Sequence, residues 1–187
     1  MKTEHIYIVF SKTGTWLSRS IGVVTGSDYT HVSLSLDSSF ETMYSFGRLN
    51  PNNPFIGGLA IENLYTGVYR NSPCCQCLIY KVPVTKNQLA LLKYELNSHL
   101  VMNEKVKYRY NFIGLFAVLM DKPLKRDRHF FCSEFVSTLL SKSDIWHSPK
   151  VPELTRPTDL IEITDKEIVY EGLLTGLYNL NTVEIAL

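Results

Sequence analysis

His31-Val32-Ser33-Leu34-Ser35-Leu36 alternates strictly between polar and apolar residues. Successive side chains of a strand project to opposite faces, so Val32, Leu34 and Leu36 form one row and His31, Ser33 and Ser35 the other. The apolar row predicts a core-facing surface. The polar row carries small hydroxyls in place of long charged side chains, and a small polar floor beside an imidazole suits a cleft better than an open surface. Asp37-Ser38-Ser39 has turn chemistry, and Thr42–Phe46 then reads as the return strand of a hairpin.

Upstream, Ile6-Tyr7-Ile8-Val9-Phe10 is a short, continuous apolar run of the kind found in buried strands. Trp16, Leu17, Ile21 and Val24 follow with helical spacing, and Gly26 is a natural stop. Downstream, Arg48–Gly58 is rich in Asn, Pro and Gly and reads as a loop. Gly58–Glu62, Cys77–Val82 and Glu167–Tyr170 are further strand candidates. Thr85-Lys86-Asn87-Gln88 fits a capping box ahead of an amphipathic helix through Leu89, Leu92, Leu96 and Leu100. Tyr110–Met120 reads as a helix apolar nearly all round, hence buried, and Cys132–Ser141 as another, with Phe131, Phe135 and Leu139 on one stripe. Residues 1–187 are expected to form a single α+β domain, with helices packed on a largely antiparallel sheet.

The 187 residues are 45% hydrophobic and 20% charged, with a formal net charge of +1. That balance gives no field for nucleic acid. The apolar run Phe112–Met120 is about half the length of a membrane-spanning helix. No signal-peptide pattern opens the chain, so the expectation is a cytoplasmic protein with reduced cysteines.

A cysteine nucleophile needs a stabilised thiolate, a base and donors for the oxyanion. Phe130-Phe131-Cys132-Ser133-Glu134-Phe135-Val136 puts Cys132 at the start of a helix, where free N–H groups and the dipole favour a thiolate. His31 is the candidate base. His129, close to Cys132 in sequence, is its rival. Tyr108 and Tyr110 stand where a hydroxyl could reach the site, although aromatic packing also accounts for them.

The order of these segments resembles the permuted papain-like proteins of the NlpC-type superfamily, the YiiX/YaeF-like group that sits beside lecithin retinol acyltransferase-like enzymes. The likeness rests on Tyr29-Thr30-His31-Val32-Ser33-Leu34, on Phe131-Cys132-Ser133-Glu134-Phe135-Val136 and on Pro157-Thr158-Asp159-Leu160, and spans roughly residues 5–160. It implies a circularly permuted papain-like fold and a thioester acyl-enzyme formed on Cys132 with His31 as base. It also implies a third polar residue on the strand beside the histidine strand. Ser45 holds that place, with Glu41 and Glu62 in reserve. The expected activity is a cysteine hydrolase of amidase, peptidase or thioesterase type, or an acyltransferase, acting on a small-molecule, peptide or lipid acyl substrate. An inactive papain-like module binding a peptide or acyl ligand is the alternative, favoured by serine standing where a carboxylate is usual. A third reading has Phe112–Met120 docking on lipid.

Cys74, Cys75 and Cys77 lack the second ligand pair of a structural zinc site. Neither a metal nor a cofactor is expected, and no phosphate-binding loop is present.

Overall fold

The computed structural model describes residues 3–13, 29–50 and 53–178. Its centre is a six-stranded sheet in the order β4-β3-β2-β1-β5-β8. The strands are β1 (Glu4–Lys12), β2 (His31–Ser35), β3 (Met43–Asn50), β4 (Asn53–Glu62), β5 (Gln76–Val84) and β8 (Glu167–Leu173). Every neighbouring pair is antiparallel. A separate parallel bridge joins β6 (Arg109–Tyr110) to β7 (His129–Phe130). The architecture is α+β, as the strand and helix patterns predict.

Two cores flank the sheet. Ile6, Ile8 and Phe10 of β1 face one, with Val32 and Leu34, while Val9 faces the other with Met43 and Ile79. The central strand is therefore buried on both sides, which is why its sequence is a continuous apolar run. The first core is closed by α2 (Lys86–Lys105) and α4 (Cys132–Lys142). Thr85 and Gln88 begin α2 with a reciprocal capping box: Thr85 Oγ1 accepts the Gln88 N–H at 3.2 Å, and Gln88 Oε1 accepts that of Thr85 at 2.9 Å. Leu92 and Leu96 of α2 are buried, as are Phe135, Val136, Leu139 and Leu140 of α4. Each such side chain contributes about 1.5–3 kcal/mol.

The second core is built by Phe40, Leu64, Leu174 and Leu177 around Tyr69 of the short helix α1 (Gly67–Arg70). It lies over the polar row of β2, so Ser33 and Ser35 are fully buried and do not floor an open cleft.

Three expectations change. The Arg48–Gly58 loop is in large part sheet, since β3 and β4 pair out to Asn50 and Asn53 around a β-bulge. Glycine there serves close approach: a Cβ on Gly57 would lie 2.8 Å from Tyr110 Cβ, and one on Gly58 would lie 2.6 Å from the Tyr108 carbonyl oxygen. Second, α3 (Phe112–Leu119) is not buried all round. It is two turns long and packs through Ala117 and Val118, leaving Ile113, Phe116 and the adjoining Met120 exposed. Third, the last strand extends to Leu173. The helix expected over Trp16–Val24 lies outside the described residues. Among those residues no helix is long and apolar enough to cross a membrane.

Candidate active site

The thiol and the imidazole come together from segments far apart in the chain. Cys132 is the first residue of α4 and is 3% exposed. Its helix lies against β2 and β3, with Val136 and Leu139 in the first core. His31 begins β2, and Cys132 stands within hydrogen-bonding and Coulombic reach of its ring.

Glu62, the last residue of β4, holds the other partner of the imidazole. Its Oε1 and Oε2 lie 2.9 and 3.1 Å from His31 Nε2. Ser33 donates to Glu62 Oε2 at 2.6 Å, and the Tyr69 hydroxyl donates to the same oxygen at 3.1 Å. The carboxylate is thus fixed by a second side chain of β2 and by one from the short helix α1, in the way a carboxylate orients a catalytic imidazole. The side chains of His31 and Glu62 are 21% and 16% exposed.

Burial alone would pull the His31 ring down. The Glu62 carboxylate and the Cys132 thiol outweigh it and hold the pKa up, at about 10. Burial would likewise raise Glu62, but the His31 charge and the bonds from His31, Ser33 and Tyr69 bring its carboxyl below the usual value. Tyr69 is pushed well up by burial and by the Glu62 charge, so it stays a neutral donor.

Ser45, expected as the orienting residue, is elsewhere. It is fully buried and donates to the Val32 carbonyl at 2.6 Å, tying β3 to β2. Glu41 is exposed in the turn before β3. Glu62 is one strand further out than the neighbour of β2, and it reaches His31 because the intervening β3 carries glycine at that point. A Cβ on Gly47 would lie 2.9 Å from Glu62 Oε1 and 3.4 Å from His31 Cε1. A glycine inside a strand signals close approach of something else, and that is the mark by which the pair could be found in the sequence.

Tyr110 reaches the thiol: burial and then the neighbouring Cys132 push its hydroxyl well above the ordinary value. Tyr108 turns to His99 Nδ1 at 3.2 Å instead. His129 Nδ1 donates to the Asp127 carbonyl at 2.8 Å, and the imidazole beside Cys132 is that of His31.

Glu134 is the residue that sequence reasoning passed over. It is 3% exposed, and its Oε2 accepts the Phe131 N–H at 3.2 Å, closing the start of α4. Burial pushes its carboxyl up to about 7, helped by Glu153 and opposed by the Phe131 N–H and the Asn111 side chain. Asn111 is itself buried, and its Oδ1 accepts the Gly114 N–H at 3.0 Å to cap α3.

The remaining cysteines have different surroundings. Cys75 and Cys77 are buried in the second core, and burial pushes Cys75 up to about 11 and Cys77 higher still. Cys74 is exposed. Among the described residues no group of His, Cys, Asp and Glu could hold a metal ion.

Together, Cys132, His31 and Glu62 bring a thiol, an imidazole and a carboxylate into one cluster, with the Tyr110 hydroxyl beside the thiol. Compared with protein-family models and with curated proteins, the chain matches neither a family nor a relative.

Proposed function

We propose that this protein is a cysteine hydrolase or acyltransferase, with Cys132 as nucleophile, His31 as general base and acid, and Glu62 orienting the imidazole. The observation that carries the reading is the two-oxygen contact of Glu62 with His31 Nε2. It supplies the carboxylate whose apparent lack favoured an inactive binding module. The strand order, with the histidine strand preceding the cysteine helix, also supports kinship with permuted papain-like proteins.

With Nε2 committed to Glu62, Nδ1 is the nitrogen left to take the thiol proton. The thiolate attacks the acyl carbon, and the carbonyl electron pair moves onto oxygen. The Tyr110 hydroxyl and the N–H groups in the first turn of α4 would stabilise that oxyanion. On collapse, the bond to the leaving group breaks and the leaving group takes the proton from His31, giving a thioester. Water or a second acceptor then gives its proton to His31 and displaces Cys132.

The test is alkylation by iodoacetamide, followed residue by residue by mass spectrometry. Cys132 should react faster at pH 6–7 than the exposed Cys74, and His31→Ala should abolish that advantage. Equal rates for Cys132 and Cys74 in the wild-type protein would remove the nucleophile assignment.

A further inference from the structure

Tyr110 faces the thiol, and it also lines a cleft of about 500 Å3, the size of a small-ligand site. The cleft has two kinds of wall. Its rim is apolar, from Leu49 and Ile56 of β3 and β4 and Ile113 of α3, all about half exposed. Its charged wall carries Arg109, Arg126 and His129. Arg109 and His129 stand opposite each other in the β6–β7 register, so two cationic or cation-capable groups are side by side on fixed backbone. No acidic side chain lines the cleft among the described residues. The chain as a whole is nearly neutral, whereas the stretch 105–129 holds seven Lys and Arg against two Asp.

We propose that this cleft is a substrate subsite, taking an acyl compound whose apolar arm ends in an anion, a carboxylate or a phosphate. The assignment rests on Cys132 being the nucleophile. Tyr110 would mark the junction: the reacting carbonyl on its thiol side, the apolar arm along Ile56 and Ile113, and the anion at Arg109 and Arg126. Guanidinium forks suit either anion, since both present oxygens for paired N–H donation.

Three alkylating probes of matched length test it: N-hexyl iodoacetamide, ω-iodoacetamidohexanoate and ω-iodoacetamidohexyl phosphate. At least one anionic probe should modify Cys132 about tenfold faster than the neutral one, the equivalent of one charge-assisted hydrogen bond. The faster of the two names the anion. Salt should narrow the ratio, and in Arg109→Ala/Arg126→Ala it should fall to near unity. Equal rates for all three probes, or a preference that survives the double substitution, would overturn the subsite. A second arm does not depend on the chemistry. In Cys132→Ser protein, hexanoate or hexyl phosphate should shift the NMR signals of His129 and Tyr110, and the absence of any shift with both overturns the subsite even if the thiol proves unreactive. Shifts without preferential alkylation of Cys132 over Cys74 would instead leave an anion site and remove the nucleophile.

Discussion

Gly47 and Glu62 contend for one volume: a Cβ on the glycine would stand 2.9 Å from Glu62 Oε1, inside the distance that real Cβ contacts respect. The same Cβ would lie 3.4 Å from His31 Cε1. Gly47→Ala should therefore displace the carboxylate from the imidazole. Iodoacetamide should label Cys132 at least about tenfold more slowly, while urea unfolding registers an overpacking loss of about 1–3 kcal/mol. An unchanged labelling rate would show that the glycine is not what admits the pair.

Removing the Glu62 charge should release His31 to the effect of burial. In Glu62→Gln the ring should titrate well below its wild-type value of about 10, as read by imidazole NMR. The stability that the pair contributes has a defined window. His31 is raised above its ordinary value of 6.5, so its part is complete below that pH and is lost as pH rises through about 10. Glu62 is lowered from 4.5, so its part is present above that pH and is lost on acidification. Wild type should thus exceed Glu62→Gln most between about pH 4.5 and 6.5. A constant difference across the whole range would contradict the pairing.

Ser45 makes the opposite prediction. Its hydroxyl serves the Val32 carbonyl, so Ser45→Ala should cost about 1–2 kcal/mol in urea unfolding. Labelling of Cys132 should keep its wild-type pH profile.

Tyr110→Phe separates an oxyanion donor from a packing residue. Alkylation develops no carbonyl oxyanion, whereas acyl transfer does. Hydrolysis of a reactive ester should fall about 10²-fold in kcat, with little change in the iodoacetamide rate. Parallel losses in both would reassign Tyr110 to positioning the thiol.

Glu134 should make the protein less stable as pH rises. Its carboxyl is held at about 7 in the fold against 4.5 when free, so the native state binds more protons between those values and stability falls across that interval. Glu134→Gln keeps an acceptor for the Phe131 N–H and should be more stable than wild type at pH 8, by on the order of 1–3 kcal/mol. At pH 5 the advantage should be nearly gone, and a gain of equal size at both pH values would point to packing instead.

Local signals made much of this architecture readable. The alternation of β2, the capping box of α2 and the unbroken apolar run of β1 each encode burial in a few adjacent residues. The starts of β2 and α4, and so the positions of His31 and Cys132, were readable for the same reason. What escaped depends on lateral placement. Ser45 occupies the adjacent strand and looked like the natural orienter, but its side chain is consumed within the sheet by Val32. Glu62, legible only as a reserve candidate, contacts His31 from two strands away across a glycine, a relationship that no pattern within either segment records. The exposure of Ile113 and Phe116 escaped in the same way, because composition gives the apolarity of α3 but not how little of the fold is available to cover it.

Cys132 belongs to the core under α4, while Glu62 is anchored through Tyr69 to the core on the other side of the sheet. Reactivity at Cys132 is therefore a gauge of the alignment between the two cores on either side of the sheet. A volume change deep in either core, such as Leu139→Ala or Leu64→Ala, can leave a folded molecule whose two halves are slightly out of step. Such variants would lose labelling at lower urea than they lose helical signal, giving the chain a functional transition distinct from its unfolding.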